Sequence, residues 1–427
     1  MLEINKIKNN ADLIIKNLKK RGIDVKRNID FILNLDQSRI SNQQKLDKVL
    51  QESNQIAQNI GKMAQSGQAD NLTQLKKEAS ILKNTAKKLS EKAKEIEIKI
   101  KNALIEIPNT PHNNVPEGNS EKDNIIEFEW GEINNNPGLL PHWELAEKYN
   151  IIDFKKGAEI TGSGFPLYIG MGAQLQRALI NFFLDYNTNS GYKEYIPPYF
   201  VNAESAYNTG QLPDKEGMMY HIQNDDLYAI PTAEIPITNI FSNSKFKEKE
   251  LPIKCTAYSP CFRREAGSYG KEVRGLNRLH QFDKVEIVQI CAQNKSYETL
   301  NIMVDHISNL LKQLGLTFRI IKLCGGDLGF TSALTYDFEI YAPAQKKWLE
   351  VSSVSNFETY QAARLNLKYT NKEGNKLLCH TLNGSSLALP RIVVGLLEKY
   401  QTIDGIQIPK ALLKYLNFDK ISASNNV

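Results

Sequence analysis

No apolar run in this sequence approaches the roughly 20 residues that a bilayer-spanning helix needs, which excludes an integral membrane protein built on such helices. The opening residues, MLEINKIKNN, lack an apolar stretch of secretory type, so no secretory leader is expected. Cysteine is scarce. The five (Cys255, Cys261, Cys291, Cys324, Cys379) are odd in number and form no C-x-x-C pair. Only six histidines accompany them, and no Cys/His cluster has zinc spacing. Neither a disulfide framework nor a structural zinc is expected, and a reducing, cytoplasmic compartment is the simplest reading. There is no G-x-G-x-x-G and no P-loop lysine motif, which disfavours a doubly wound dinucleotide fold. Arginine is rare, 11 against 42 lysines. What is present is globular: 41% hydrophobic and 24% charged residues exclude wholesale disorder, and 427 residues imply two or three domains at roughly 150 residues each.

The net charge of +5 divides unevenly. Residues 1–106 carry 21 Lys+Arg against 13 Asp+Glu, a net of +8, and the remainder a net of −3. A basic front end on a mildly acidic body points to a polyanionic partner for the front end only. The arginines are also uneven: Arg263, Arg264, Arg274 and Arg278 fall within sixteen residues. Where Lys is the default, clustered Arg indicates a need for its planar fork, which matches phosphate or carboxylate.

From Leu72, apolar residues recur at alternating spacings of 3 and 4: Leu72, Leu75, Ala79, Leu82, Ala86, Leu89, Ala93, Ile96, Ile100 and Ala103. That heptad seam predicts a coiled-coil helix with Asp70 as N-cap, ended by Pro108 and Pro111. A looser seam (Ile32, Leu46, Val49, Ile56, Ile60, Met63) predicts a partner helix over about residues 28–65, joined through the turn signal Ser66–Asp70. Two long helices and a tight turn make an antiparallel hairpin, with residues 1–25 a small helical cap at its base. Lys76, Lys83, Lys87, Lys94 and Lys101 occupy adjacent outer heptad positions and form one basic stripe. It reads as a solvated face, a ladder of phosphate contacts, or a dimerisation arm.

Residues 108–125 are rich in Pro, Asn and Gly and read as a linker. Beyond them, strands follow one another without a helix between each pair, so the sheet should be largely antiparallel and the fold α+β. Expected helices are 141–149, 173–189, 297–314 and 392–400. Expected strands are 194–196, 227–230, 255–262, 284–290, 318–322, 332–340, 348–353 and 377–381.

The stretch Cys261–Val288 reads as strand, loop with Gly267, Gly270 and Gly275, then strand. Arg263 and Glu265, two apart, should share a strand face, and so should Phe282 and Glu286. An aromatic platform, a carboxylate and loop arginines would cradle a nucleotide without a P-loop. A surface hairpin with salt bridges is the plainer alternative.

The block FRREAGSYGKEVRGLNRLHQFDKVE resembles motif 2 of class II aminoacyl-tRNA synthetases, in the form found in seryl-tRNA synthetases of the bacterial, zinc-free type. LNGSSLALPRIVVGLLEKYQ, from Leu382, resembles motif 3, and GYKEYIPPYFVN, from Gly191, resembles motif 1 with Pro198 at its proline position. TGQLPDK from Thr209, IPTAEIP from Ile230, the hairpin and the closing GIQIPKALLKYL also fit, so the resemblance covers essentially the whole chain. It implies a tRNA-binding arm (1–107), a linker (108–125) and a class II antiparallel-sheet domain flanked by helices (126–427). ATP would bind over the sheet, with Arg263 on the α-phosphate and Arg391 on the γ-phosphate as the catalytic pair. Glu265 and Phe282 match the adenine positions, and Arg264, Leu279, Val351 and Ser352 complete the ATP set. Arg264 departs from the small residue of many relatives and receives no separate role. Glu350 and Ser353 match ligands of Mg²⁺. Thr232, Ala233, Glu234, Arg263, Glu286, Asn383 and Ser385 match a serine pocket.

The implied activity is ATP-dependent ligation of L-serine to tRNA(Ser), with tRNA(Sec) left open, by a cytoplasmic homodimer whose lysine stripe touches tRNA; no membrane or DNA partner is implied. His280 and His380 read as structural, since neither half-reaction requires a general base of that kind. Two other readings compete. A non-catalytic relative would be expected to have lost motif residues, yet Arg263, Glu286, Glu350 and Arg391 are all present. A ligase for threonine or proline is disfavoured by the TAE block at Thr232 and by the hairpin.

Overall fold

The structure is a computed structural model describing residues 1–66, 72–134, 136–265 and 274–422. Asp70, the turn around Gly67 and the loop glycines Gly267 and Gly270 lie outside the described residues. The chain divides into two units, one of residues 1–19 and 23–108, the other of residues 20–22 and 109–427.

The first unit is the expected hairpin. Helix α1 (Ile4–Leu18) packs on α2 (Lys26–Ser66), which pairs along its length with α3 (Leu72–Ile105). At 1.5 Å per residue, the 41 and 34 residues of α2 and α3 span about 60 and 50 Å. Every seam residue of α3 is half-buried or buried, with Ile96 and Ile100 almost fully enclosed. One polar contact interrupts the apolar seam: Asn42 Nδ2 donates to the Leu89 carbonyl at 2.9 Å. All five stripe lysines are exposed.

The second unit is built on an eight-stranded sheet: β1 (Ile125–Trp130), β2 (Lys193–Tyr195), β3 (Ile253–Phe262), β4 (Gln281–Cys291), β5 (Phe318–Lys322), β6 (Leu334–Ala342), β7 (Lys347–Asn356) and β8 (His380–Ala388). Their spatial order is β1-β5-β6-β7-β8-β4-β3-β2, and every neighbouring pair is antiparallel except β2 with β3. Alternation along the strands separates two faces. Val285 and Ile287 of β4, Leu334, Phe338 and Ile340 of β6 and Leu382 of β8 enter the main core. There they meet α5 (Gly170–Asn189), α7 (Ser296–Gln313) and α8 (Leu389–Lys399), through Leu179, Ile307 and Ile392 among others. The opposite face carries Phe282, Lys284, Glu286, Asp337, Ser355, Asn383 and Ser385. It is therefore the polar face, and the three core helices, packed on the other side, leave this part of it open to a ligand. Two short helices also matter for the site, α4 (His142–Lys148) and α6 (Glu234–Asn239).

Three expectations change. Residues 109–124, read as a linker, belong to the second unit. Asn109 is buried there and donates to the carbonyls of Thr331 and Phe357, and Val115 enters the main core. Arg21 is built into the same unit, donating to the carbonyls of Asn109, Leu328, Gly329 and Ser332. The strand expected at 377–381 is two strands, Lys376–Leu378 and β8, and β8 runs on to Ala388. Its HTLNGSSLA sequence has weak intrinsic strand preference but is flanked by β4 and β7 and buried almost throughout, so tertiary pairing decides. Finally, β3 ends at Phe262, so Arg263 and Glu265 do not share a strand face. The last rung is Arg263 N–H to the His280 carbonyl (2.9 Å), and Glu265 then takes a left-handed φ of 47° that turns the chain away.

Candidate active site

A cavity of about 210 Å³ opens on the polar face of the sheet. Phe282 and Lys284 of β4, Glu350, Val351 and Ser352 of β7, Ser385 of β8 and Arg391 of α8 line it, together with Arg263 and Glu265 beyond β3 and the 276–279 segment. Of the expected ATP residues, Arg263, Glu265, Leu279, Phe282, Glu350, Val351, Ser352 and Arg391 come together here. Arg264 is exposed and off this cavity, its backbone N–H tied to the Met218 carbonyl. Ser353 lines a neighbouring cavity, and Glu350 borders both.

The two arginines enter fastened. The Arg263 guanidinium lies 5.2 Å over the Phe282 ring, a cation–π contact that fixes the fork above the sheet. Arg391 donates to the carbonyls of Glu350 (Nη1, 2.7 Å) and Asn277 (Nε, 3.2 Å), with the Glu350 carboxylate 3.9 Å from Nη1. Of the other clustered arginines, Arg278 lines the cavity and pairs with Glu265 at 2.5 Å, while Arg274 stacks outside it on Trp143, 4.7 Å from the ring centre.

A buried network shapes the 275–277 segment. His142 Nε2 accepts from the Leu276 amide (2.9 Å), which assigns the ring proton to Nδ1, facing Glu398 Oε1 at 3.1 Å. Glu398 is fully enclosed and also accepts from the amides of His142, Ala344 and Gln345. Burial pushes the His142 pKa down, against the pull of Glu398, which favours the neutral ring. Gly275 sits against this ring at φ +70°; a Cβ there would lie 2.1 Å from His142 Nε2. Leu276 and Asn277 are thereby held at the cavity wall, and Asn277 presents its carbonyl to Arg391.

Apart from Arg263 and Ser385, the expected serine residues lie buried beside the cavity rather than lining it. Thr232, Ala233 and Glu234, at the start of α6, adjoin Glu286 of β4 and Asn383 of β8. Lys284 joins them, its Nζ 2.8 Å from Thr232 Oγ1 and 2.7 Å from Glu286 Oε2. Glu234 Oε1 accepts from Gln361 (2.6 Å), which in turn accepts from Thr381 Oγ1 (2.7 Å). Asn383 Nδ2 is buried beside the Glu234 carboxylate, just outside strict hydrogen-bond geometry. Burial, and then the Glu286 carboxylate, raise the Glu234 pKa to about 7.

An acid with a raised folded-state pKa stabilises fully below its unfolded value, here 4.5, and that contribution is lost as pH rises through about 7. Glu234→Gln should therefore gain stability relative to the parent over that window, by roughly 2 kcal/mol at about pH 8 compared with about pH 5. Thermal melts at the two pH values measure the difference. An unchanged difference would contradict the burial argument.

Several of these residues carry no sequence signal of their own. Lys284 is one lysine among 42, and His142, Glu398, Gln361 and Thr381 are distant in sequence from their partners. His280 and His380 have satisfied structural roles: His280 Nδ1 meets Tyr220 Oη and its ring stacks on Phe165, and His380 Nδ1 meets Ser296 Oγ. All five cysteines are buried and unpaired. Among the described residues, no group of three His, Cys, Asp or Glu side chains could hold a metal ion, and no helix is long and apolar enough to cross a membrane.

Comparison with known proteins agrees along the whole chain. Residues 1–111 match the seryl-tRNA synthetase N-terminal domain, and residues 219–400 match the tRNA synthetase class II core domain (G, H, P, S and T). A serine–tRNA ligase of Salinibacter ruber is 45% identical, covering 99% of this chain and 100% of that one. One from Hydrogenobaculum is 43% identical over 97% of this chain and 99% of its own. The seryl-tRNA synthetase of Pyrococcus horikoshii, solved with ATP, superposes with a TM-score of 0.91 at 32% identity, covering 99% of each chain. From the hairpin to the motif 3 helix, this chain belongs to the seryl-tRNA synthetase family of class II aminoacyl-tRNA synthetases.

Proposed function

We propose that the chain is a catalytically competent serine–tRNA ligase. It joins L-serine to ATP, releasing pyrophosphate, and passes the seryl group from the adenylate to the 3′-terminal ribose of tRNA(Ser). The observation that carries this reading is the convergence of Arg263, Phe282, Glu350 and Arg391 on one cavity floored by Lys284 and Ser385. A non-catalytic relative would have no need to keep them together.

In the first step a serine carboxylate oxygen attacks the α-phosphorus of ATP. A bond forms from that oxygen to phosphorus, the bond to the bridging oxygen of the β-phosphate breaks, and pyrophosphate leaves. Phe282 offers a face for adenine, Arg263 meets the charge that grows on the α-phosphate, and Arg391 holds the terminal phosphate. In the second step a ribose hydroxyl attacks the seryl carbonyl and AMP leaves. On the serine side, Glu286 and Thr232 receive the ammonium, and Ser385, Asn383 and Glu234 surround the side chain. A pocket of fixed polar partners rejects alanine, because the missing hydroxyl would leave them unpaired.

The β7 residues fit a magnesium ion bound with the nucleotide. Glu350 and Ser353 supply hard oxygen donors, and Asp337, paired across strands with Ser353, holds a buried Oδ1 that has no partner. Burial, and then the Glu350 carboxylate, push the Asp337 pKa well up. When bound there, the ion would neutralise phosphate charge.

Residues 1–107 serve as the tRNA-binding arm, with Lys76, Lys83, Lys87, Lys94 and Lys101 facing the RNA backbone. The working unit is a cytoplasmic homodimer. In the motif 1 segment, Ile196 is 85% exposed and Phe200 is also exposed, apolar surface in keeping with a partner subunit. Incubating the protein with serine and ATP but no tRNA, then desalting, tests the chemistry. Serine and AMP should elute with the protein in equal amounts. Recovery of ATP alone would refute the activation step.

A further inference from the structure

Lys284 occupies a position that the two half-reactions leave unexplained. Its Nζ donates to Thr232 Oγ1 at 2.8 Å and to Glu286 Oε2 at 2.7 Å. Thr232 Oγ1 is otherwise occupied too, donating to the same Glu286 oxygen (3.3 Å) and accepting from the Glu234 amide (3.2 Å). Thr232 Oγ1 and Glu286 Oε2 are the acceptors that the proposed serine site offers to the substrate ammonium. A primary ammonium of the chain therefore stands where the substrate's own would land. Lys284 also borders the open cavity alongside Arg263 and Ser385.

Charge dictates how the site responds to serine. The charged and titratable groups facing Glu286 are Lys284 on its own strand, Glu234 from α6 and Cys261 from β3, with Arg263 near Cys261. Helices α5 and α8 pack on the other face, against Val285 and Ile287. Serine arrives as a zwitterion with its two charges one carbon apart. If Lys284 stayed in place, two ammonium groups would crowd one buried carboxylate oxygen. An exchange avoids this: the substrate ammonium takes Glu286 and Thr232, and the displaced Nζ meets the substrate carboxylate immediately beside it. No buried charge is left unpaired at the end.

We propose that Lys284 is a placeholder cation, which occupies the ammonium acceptors of the empty site and passes to the serine carboxylate when serine binds. The proposal rests on the reading of Thr232 and Glu286 as serine contacts. It makes Lys284 a catalytic residue, holding with Arg263 the carboxylate that attacks ATP. It also gives the site a means of demanding both substrate charges, since an amine without a carboxylate displaces Lys284 and offers it no new partner.

Lys284→Met removes the charge at nearly constant volume, and the test compares serine with serinol, which keeps the ammonium and hydroxyl but has no carboxylate. The serine KM in ATP–pyrophosphate exchange should rise about tenfold or more, while the inhibition constant of serinol should fall by about tenfold. Lys284→Arg should recover part of the serine KM and none of the gain for serinol. A lysine that merely braces Glu286 would weaken both ligands in parallel; that result, or no change in either, overturns the proposal. A crystal structure of the parent protein with serine gives an answer independent of variant folding. Nζ should leave Glu286 for hydrogen-bond distance of a serine carboxylate oxygen, and Nζ still on Glu286 in the filled site would refute the exchange. If the parent itself shows no exchange with serine, the serine site is wrong, an outcome distinct from failure of the placeholder.

Discussion

Arg263→Ala is expected to slow serine-dependent ATP–pyrophosphate exchange by about 10³-fold or more with little change in thermal stability. Removing one preorganised donor to developing charge costs about 10²–10³ in rate in well-studied sites. Here the donor is a full cation, which places the effect at or above the top of that range, about 4 kcal/mol of barrier. Stability should hold because Arg263 is at the cavity margin, and its side chain contacts the half-buried Phe282 ring rather than the core. Arg263→Lys keeps the charge but loses the planar fork and the stacking, so its rate should fall between the two. Full exchange by Arg263→Ala would remove this residue from the chemistry.

Replacing Lys76, Lys83, Lys87, Lys94 and Lys101 together with Glu should leave exchange nearly untouched and cripple tRNA charging. Each lost phosphate contact removes roughly 0.7–0.9 from the slope of log K against log salt, so five contacts are worth a slope change of about 4. Charge reversal adds repulsion, and kcat/KM for tRNA should fall by about 10³-fold or more at roughly 0.1 M salt. The lysines are exposed and off the seam, so the hairpin should still form. Unimpaired charging with an unaltered salt slope would return the stripe to a solvated face, and loss of a dimer without loss of RNA affinity would make it a dimerisation arm.

The two units were unequally legible in the sequence. The hairpin is local: a 3–4 repeat is a property of one segment, and every seam residue from Leu72 to Ala103 is at least half-buried. The arginine cluster was also legible, because Arg stands out in a lysine-rich chain, and two of the four, Arg263 and Arg278, do line the cavity. Proline and asparagine richness misled at 109–124, where side-chain bonds such as those of Asn109 pin irregular backbone to the body. The central strand β8 was cut short because Asn383, Gly384, Ser385 and Ser386 are poor strand formers that pairing on both sides holds extended. The substrate pocket was legible only through resemblance. Thr232 and Glu286 are 54 residues apart, Gln361 and Glu234 127 apart, and no periodicity joins them. Lys284 carries no sequence signal, because its meaning lies entirely in the two oxygens it touches.

On the proposed reading, this cavity activates serine and does so without tRNA. ATP–pyrophosphate exchange across a panel of amino acids, including alanine, threonine, glycine, cysteine and proline, tests it most directly. Exchange should be strong with L-serine and should fall by at least about 10²-fold with each of the others, lowest where the hydroxyl is missing. Exchange supported best by another amino acid, or by none, would contradict the account.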